Sequence, residues 1–239
     1  MPITWYEGIV QKIAEEAPNV RRFWVEVPEK IDFQAGQFVT MDLPIGDKRL
    51  QRWRSYSIAN APDGTKVLEF CIVRNPQGAA TQYLFDVVKP GSALRFKGPD
   101  GAFVLPETIA QDLVFICTGT GVAPFRSMLL DLQQSGKSYR NIHLIFGTRE
   151  ASGILYRSEF EALAQSMPRF KYDVALSRQP DWAGYQGYVH QIYLEQYAQT
   201  RPDVDFYICG WARMIDETVQ NLLLTLQYDR SQVHFELYG

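Results

Sequence analysis

The first 105 residues alternate short apolar segments with turn residues. Six segments are rich in valine, isoleucine and aromatic residues, a composition typical of β-strands, and glycine and proline separate them. The predicted strands are 4–17, 20–28, 36–43, 54–60, 65–74 and 91–99, with one helix over 78–88. This spacing predicts a small antiparallel β-barrel or sandwich.

From about residue 110 the pattern changes to alternating strands and helices. Continuous apolar runs, typical of strands buried on both faces, occur at 112–119, 141–149 and 205–210, with a shorter run at 170–178. Predicted helices lie at 123–136, 155–167 and 213–226. Strand and helix in alternation predict a doubly wound parallel sheet. We therefore expect two domains, 1–105 and 106–239.

Composition narrows the possible functions. A net charge of −3 with no run of basic residues argues against nucleic acid, and no apolar stretch is long enough to span a membrane. The start of the chain lacks the features of a signal peptide, so we expect a cytoplasmic protein. Cys71, Cys117 and Cys209 are far apart, and the three histidines are scattered, which predicts no metal site. Any redox chemistry must then come from an organic cofactor.

Two strand–turn–helix segments are candidates for binding a dinucleotide. In "FICTGTGVAPFRSML", Gly119 and Gly121 allow close approach to a diphosphate, and Pro124 opens the helix. In "YICGWARMIDETV", Cys209 and Gly210 end a second strand. An ordinary turn and a buried structural cysteine remain the alternatives.

The first domain holds two further candidates. "CIVRNPQGAATQYLFD" has small residues at a helix start, where Thr81 either donates to a phosphate or only caps the helix. "QRWRSYSIAN" places arginines, a tyrosine and serines on one predicted strand.

Six motifs in order resemble the ferredoxin–NADP⁺ reductase family: "RSYS", "GAATQYL", "GPDGAFVL", "TGTGVAPFRSML", "FGTRE" and "CGWARM". They cover nearly the whole chain. The resemblance implies a β-barrel FAD domain followed by an NAD(P) domain. It also implies a flavin-dependent oxidoreductase of the EC 1.18.1 type, with FAD and either NADP or NAD as cofactors.

The resemblance also implies roles for individual residues. Arg54 contacts the FAD diphosphate, Tyr56 packs on the flavin ring, and Ser57 lies near flavin N5. The other FAD contacts would be Cys71, Ile72, Val73, Gly78, Ala79, Ala80 and Thr81. The nicotinamide nucleotide would meet Thr118, Gly119, Thr120, Gly121, Pro124, Cys209 and Gly210, with Cys209 beside the reacting ring.

The ending "FELYG" resembles the Glu-x-Tyr terminus of plant-type members. This likeness implies that Tyr238 covers the flavin and that Glu236 relays a proton with Ser57. Here Gly239 follows the tyrosine, which could displace that cover. A terminal tail without a role is the alternative.

The sequence leaves the choice of nucleotide open. Ser177 and Arg178 match the Ser-Arg pair that binds the 2′-phosphate in NADPH-dependent relatives, and Arg149 could assist. The following "PDWAGYQGYV" instead resembles NADH-using reductases. The two arginines favour NADPH.

The electron acceptor is expected to be a separate small acidic carrier, ferredoxin or flavodoxin. A positive rim of Lys48, Arg49, Arg52, Arg21 and Arg22 would suit such a partner, unless these are ordinary solvated charges. We expect a monomer. The alternatives are an NAD(P)H:flavin, quinone or cytochrome reductase, or a non-catalytic dinucleotide-binding subunit.

Overall fold

The computed structural model describes residues 4–238, without the side chain of Tyr238. The chain forms two compact units. The first comprises the chain up to Leu105 together with Ala123–Ser135, and the second comprises Pro106–Val122 and the chain from Gly136 onward.

The first unit is built on one antiparallel sheet. Its elements are β1 (Trp5–Ala17), β2 (Val20–Glu26), β3 (Phe38–Asp42), α1 (Arg49–Arg52), β4 (Trp53–Ser57), β5 (Val67–Val73), α2 (Ala79–Asp86) and β6 (Ala93–Asp100). The strand order is β4-β3-β6-β1-β2-β5, and every pair is antiparallel. This confirms the antiparallel fold predicted from the strand spacing.

Alternation along the strands creates the core of this unit. On β2, Phe23 and Val25 are fully buried, whereas Trp24 between them is only half-buried. Val39 and Met41 on β3 are likewise fully buried in the same core. Residues two apart on a strand share a face, so one apolar face of the sheet lines the interior.

The segment that follows β4 is hydrogen-bonded to β5, at the other end of the sheet order. The Ala59 N–H donates to the Glu69 carbonyl oxygen at 2.8 Å. The Asn60 amide then accepts the Glu69 N–H at 2.8 Å and donates to the Val67 carbonyl at 3.0 Å. Asn60 thus continues the ladder between the segment after β4 and β5.

The second unit contains one parallel sheet. Its elements are β7 (Asp112–Thr118), β8 (Ile142–Thr148), α4 (Arg157–Ser166), β9 (Phe170–Leu176), β10 (Tyr185–Gln186), α5 (His190–Gln196), β11 (Val204–Trp211), α6 (Ala212–Gln220) and β12 (Val233–Tyr238); helix α3 is Ala123–Ser135. The order is β10-β9-β8-β7-β11-β12, all parallel. The doubly wound sheet predicted for this half is confirmed, and β7 and β8 are the continuous buried runs expected.

Helix α3 groups with the first unit, although it directly follows β7 and its turn. Phe125 packs edge-on against Phe103, with ring centroids 5.7 Å apart. Arg126 donates to the Ala59 carbonyl oxygen at 2.7 Å. The chain therefore passes between the units after Leu105, Val122 and Ser135.

Four elements were not expected from the sequence, namely α1, β10, α5 and β12. The first three are seven residues or shorter, too short for a periodic pattern to identify. Strand β12 is formed by the terminal segment that resembles the Glu-x-Tyr ending, and it pairs in parallel with β11 from Val233 onward. Among residues 4–238, no helix is long and apolar enough to cross a membrane.

Candidate functional site

Strand β4 brings Arg54 and Tyr56 onto one face, because residues two apart on a strand point the same way. The Arg54 guanidinium donates to the carbonyl oxygens of Trp53 at 2.7 Å and Leu50 at 3.1 Å, which fixes it beside helix α1. Tyr56 packs on the barrel core. Burial raises the pKa of Tyr56 to about 12, against the opposing effect of the Arg54 charge. The phenol is therefore neutral at physiological pH and keeps its proton to donate.

Ser57 does not join that pair. It lies on the opposite face of β4 and is 4% exposed. The alternation of side chains along the strand thus separates Ser57 from Arg54 and Tyr56. The roles given to Arg54, Tyr56 and Ser57 stay predictions.

The edge of β5 presents backbone groups where the resemblance places FAD. Arg74 directs its N–H to the Asn19 carbonyl oxygen at 2.7 Å, toward β2. Because hydrogen-bonding direction alternates along a strand, Val73 directs its N–H and C=O to the other edge. Cys71 and Ile72 are buried beside it. This edge therefore offers the backbone groups of Val73, whereas those of Ile72, like those of Arg74, face β2.

In the turn before helix α2, the Thr81 side chain makes the local contacts of the capping alternative. The Thr81 hydroxyl accepts the Asn75 N–H at 2.9 Å and faces the Gly78 carbonyl oxygen at 3.1 Å. It therefore holds the turn in shape. The N–H groups of Ala79, Ala80 and Thr81 belong to the first helical turn and have no acceptor within the helix. Those N–H groups, with the helix dipole, are suited to a diphosphate.

The glycine turn after β7 requires glycine for a steric reason. A Cβ at Gly121 would lie 2.4 Å from the Cys209 carbonyl oxygen. Gly119 has a φ of 53°, in the left-handed region. Thr120 is buried in the same turn, and Pro124 occupies the first turn of α3. The backbone of this turn thus packs directly on the end of β11.

Gly210 makes the reciprocal contact. Its φ is 144°, and a Cβ there would lie 2.5 Å from the Thr118 Oγ1. The Trp211 N–H donates to the same oxygen at 3.4 Å. Strand β11 lies on one side of β7, and β8, the next strand in the chain, lies on the other side. Their carboxyl ends therefore form the switch point where open α/β sheets bind ligands.

Cys209 lies at this strand end but is completely buried. It pairs in register with Cys117 on one side and Glu236 on the other. Trp211, which we did not single out, is 65% exposed two residues later. Its position directly after the Cys-Gly pair could have identified it from the sequence, because that pair is predicted to end the strand. The tyrosine side chain predicted to cover the flavin, Tyr238, lies outside the described residues.

The arginines expected at the 2′-phosphate lie on neighbouring loops. Arg149 follows β8, and Ser177 and Arg178 follow β9. The Ser177 N–H donates to the Thr148 carbonyl oxygen at 3.1 Å, and the Arg178 N–H donates to that of Arg149 at 2.8 Å. Both arginines are exposed. Gln179, which the sequence did not indicate, links the two loops, since its Oε1 accepts the Ala151 N–H at 2.8 Å.

The predicted positive rim is only partly present. Arg22 donates to the buried Glu69 at 2.7 Å, and Arg21 donates to the Phe85 carbonyl oxygen at 2.8 Å. Arg52 pairs with Asp42 at 2.8 Å. Arg22 is thus partly buried and paired with an acidic side chain, which corrects its expected place as a free charge on the rim. Lys48 and Arg49 are exposed.

Two domain families match this chain. A model of the oxidoreductase FAD-binding domain matches residues 7–105, and one of the oxidoreductase NAD-binding domain matches residues 115–220. A ferredoxin–NADP reductase B from Sorangium cellulosum is 37% identical over 212 residues, which are 86% of this chain and 85% of that protein. The phenol hydroxylase P5 protein of Acinetobacter pittii is 30% identical over 98% of this chain, and the chain spans 65% of its length.

Solved structures agree on the fold. A cytochrome P450 reductase, GcoB of Amycolatopsis, superposes with a TM-score of 0.88 at 29% identity, over 99% of this chain and 70% of that one. A ferredoxin NADP⁺ reductase from Neisseria gonorrhoeae with bound FAD and NADP has a TM-score of 0.81 at 24% identity, over 98% of each chain.

Proposed function

Because this chain belongs to the ferredoxin–NADP⁺ reductase family, we propose that it passes electrons from NADPH, through FAD, to a separate one-electron carrier. The main support is the pair of strand ends at Gly121 and Gly210, whose backbones approach too closely for any side chain. Such a switch point is built to bind a dinucleotide. The FAD-binding and NAD-binding domains that the chain contains make it an oxidoreductase.

The first unit fits FAD chemically. FAD, when bound, supplies the ability to accept two electrons as a hydride and release them one at a time. Arg54 would neutralise the diphosphate, with the first-turn N–H groups of α2. Tyr56 would offer its ring face to the flavin and its phenol proton as a donor. We propose that Ser57, Cys209 and Glu236 belong to the reacting centre, as the resemblance implies.

The loops after β8 and β9 favour NADPH over NADH. A 2′-phosphate carries close to two negative charges, and Arg149 and Arg178 are adjacent exposed cations. Guanidiniums bind phosphates through paired hydrogen bonds. These two loops contain two acidic residues, Glu150 and Asp181, and only Glu150 directly adjoins one of the two arginines.

The proposed activity is tested by anaerobic stopped-flow mixing of the FAD-loaded protein with NADPH and, separately, with NADH. We expect the flavin absorbance to bleach, and to bleach at lower NADPH than NADH concentrations. A flavin that stays oxidised with both nucleotides contradicts the proposal.

FAD binding is tested by Arg54→Met. We expect FAD to bind about tenfold more weakly or worse, since a charged hydrogen bond to a phosphate is lost. Fluorescence titration of the deflavinated protein measures this. Lys12→Met, on the exposed surface of the same unit, is the matched control and should leave FAD affinity unchanged.

The acceptor is tested with reduced protein and ferredoxin, flavodoxin, cytochrome c or free FMN in parallel. Lys48 and Arg49 support an acidic carrier, for which the transfer rate should fall with salt as the charges are screened. The likeness to a cytochrome P450 reductase favours a haem protein as the second candidate. Fast turnover with FMN alone would instead identify a flavin reductase.

A further inference from the structure

The loops that carry Arg149 and Arg178 are neighbours through their backbones. The Arg178 N–H donates to the Arg149 carbonyl oxygen at 2.8 Å, so standard backbone dimensions place the two Cα atoms within about 7 Å. Within the part of the chain that the structure describes, neither guanidinium has an ion pair or hydrogen bond. Two adjacent cations without acidic partners repel each other, and a dianion between them removes that cost.

The loop after β9 is held firmly on its own strand. The Trp182 N–H donates to the Gln179 carbonyl oxygen at 3.2 Å, closing a turn. The Trp182 indole N–H donates to the Val174 carbonyl oxygen at 3.4 Å. A Cβ at Gly184 would lie 2.4 Å from the indole nitrogen, so the loop folds tightly around this ring. Gln179 therefore projects from a fixed base.

The turn after β8 is tied to that base by one side chain. The Gln179 Oε1 accepts the Ala151 N–H at 2.8 Å, and the bond is partly buried. Ala151 begins the short 3₁₀ turn Ala151–Gly153, two residues beyond Arg149. Without Gln179, the Ala151 N–H loses this acceptor, and the two loops keep the backbone hydrogen bonds from Ser177 to Thr148 and from Arg178 to Arg149.

We propose that Gln179 is a positioning residue for nucleotide specificity: it clamps the Arg149 turn against the Arg178 loop so that both guanidiniums meet one 2′-phosphate. This rests on the proposed preference for NADPH. Preorganisation of this kind adds affinity without a direct contact, because less ordering is required on binding. The proposal predicts that replacing Gln179 weakens the binding of ligands with a 2′-phosphate and leaves the binding of ligands without one unchanged.

Isothermal titration of the FAD-loaded protein with 2′,5′-ADP and with 5′-ADP tests this. Gln179→Met keeps the side-chain length and removes the acceptor. We expect 2′,5′-ADP to bind about fivefold to tenfold more weakly, because the turn must then be ordered on binding, with 5′-ADP unchanged. In steady-state assays the KM for NADPH should rise by a similar factor, with kcat unchanged. Gln165→Met, on the exposed face of α4, is the control.

A double-mutant cycle with Arg149→Ala identifies the route of the effect. If Gln179 acts through Arg149, Gln179→Met should have almost no further effect on 2′,5′-ADP in the Arg149→Ala protein. An undiminished effect there, or an equal loss of 5′-ADP binding, overturns the role of Gln179. If Arg149→Ala and Arg178→Ala both leave 2′,5′-ADP binding unchanged, the NADPH preference fails as well, and the two failures are distinguishable.

Discussion

A methyl group at position 121 would occupy space that the backbone of β11 already fills. The Cβ of Gly121→Ala would lie 2.4 Å from the Cys209 carbonyl oxygen, and backbone cannot move aside as a flexible side chain can. We expect a loss of about 1–3 kcal/mol in unfolding free energy, the usual cost of overpacking. Nucleotide affinity should fall too, because the turn must shift.

Urea unfolding and 5′-ADP titration measure both effects of Gly121→Ala. Gly136→Asn is the matched control, since Gly136 has a φ of 65° and open space around its Cβ position. Asparagine tolerates that conformation, so Gly136→Asn should lower the unfolding free energy much less than Gly121→Ala does. Equal losses in both variants would show that steric crowding at Gly121 is not decisive.

At this residue scale, the sequence predicts local geometry well and long-range contacts poorly. The shared face of Arg54 and Tyr56 follows from strand alternation, which also places Ser57 on the other face. The Thr81 hydroxyl contacts Asn75 within its own turn, and the Gln179 amide contacts Ala151 in the turn after a different strand. No local pattern indicates such partners, so the sequence left open whether Thr81 caps the helix or contacts a phosphate, and it did not indicate Gln179.

At the scale of elements, a buried ionic network crosses strand β5 and helix α3. Glu69 lies within an apolar strand and pairs with Arg22 at 2.7 Å and Arg126 at 3.1 Å. The sequence predicted both the strand and the helix, because their apolar residues follow the right period. It did not explain the charges, since their pairing joins residues more than 40 positions apart.

Glu69→Gln should therefore destabilise the first unit strongly. It removes the negative charge facing two arginines, and breaking a buried pair costs about 3–5 kcal/mol because the remaining charge stays buried. Chemical unfolding measures the loss. Glu161→Gln breaks the exposed pair with Arg157 and should cost less than about 1 kcal/mol. Similar losses in the two variants would argue against the importance of this network.

At the scale of the whole molecule, the change of hydrophobic pattern near residue 105 predicts an antiparallel part and a parallel part correctly. The assignment of α3 to the first unit could not be predicted in this way. A helix that follows β7 in sequence is expected to cover the sheet of β7, whereas Phe125 and Arg126 bond and pack with residues from before Leu105. Tertiary contacts, not chain order, decide where this helix belongs.

Stability of the whole chain should depend on pH through buried His143. Its ring nitrogens contact Tyr197 Oη at 2.9 Å and Asp173 at 3.0 Å, and burial lowers its pKa although Asp173 opposes this. In the unfolded chain a histidine titrates near 6.5. Below that pH the unfolded state binds the extra proton, so stability falls as pH falls, by at most about 1.4 kcal/mol per pH unit for this group.

Urea unfolding between pH 8 and pH 5 measures this slope in the intact protein and in His143→Gln. We expect the variant to be less stable at pH 8 and to have a shallower slope. Burial also lowers the pKa of His234, so His234→Gln is the necessary comparison, and it should remove a separate part of the slope. The pKa of Asp173 is held at about 2 by His143 and Lys171 against burial, so its contribution is lost only in stronger acid. An unchanged slope in His143→Gln would show that this histidine does not couple pH to folding.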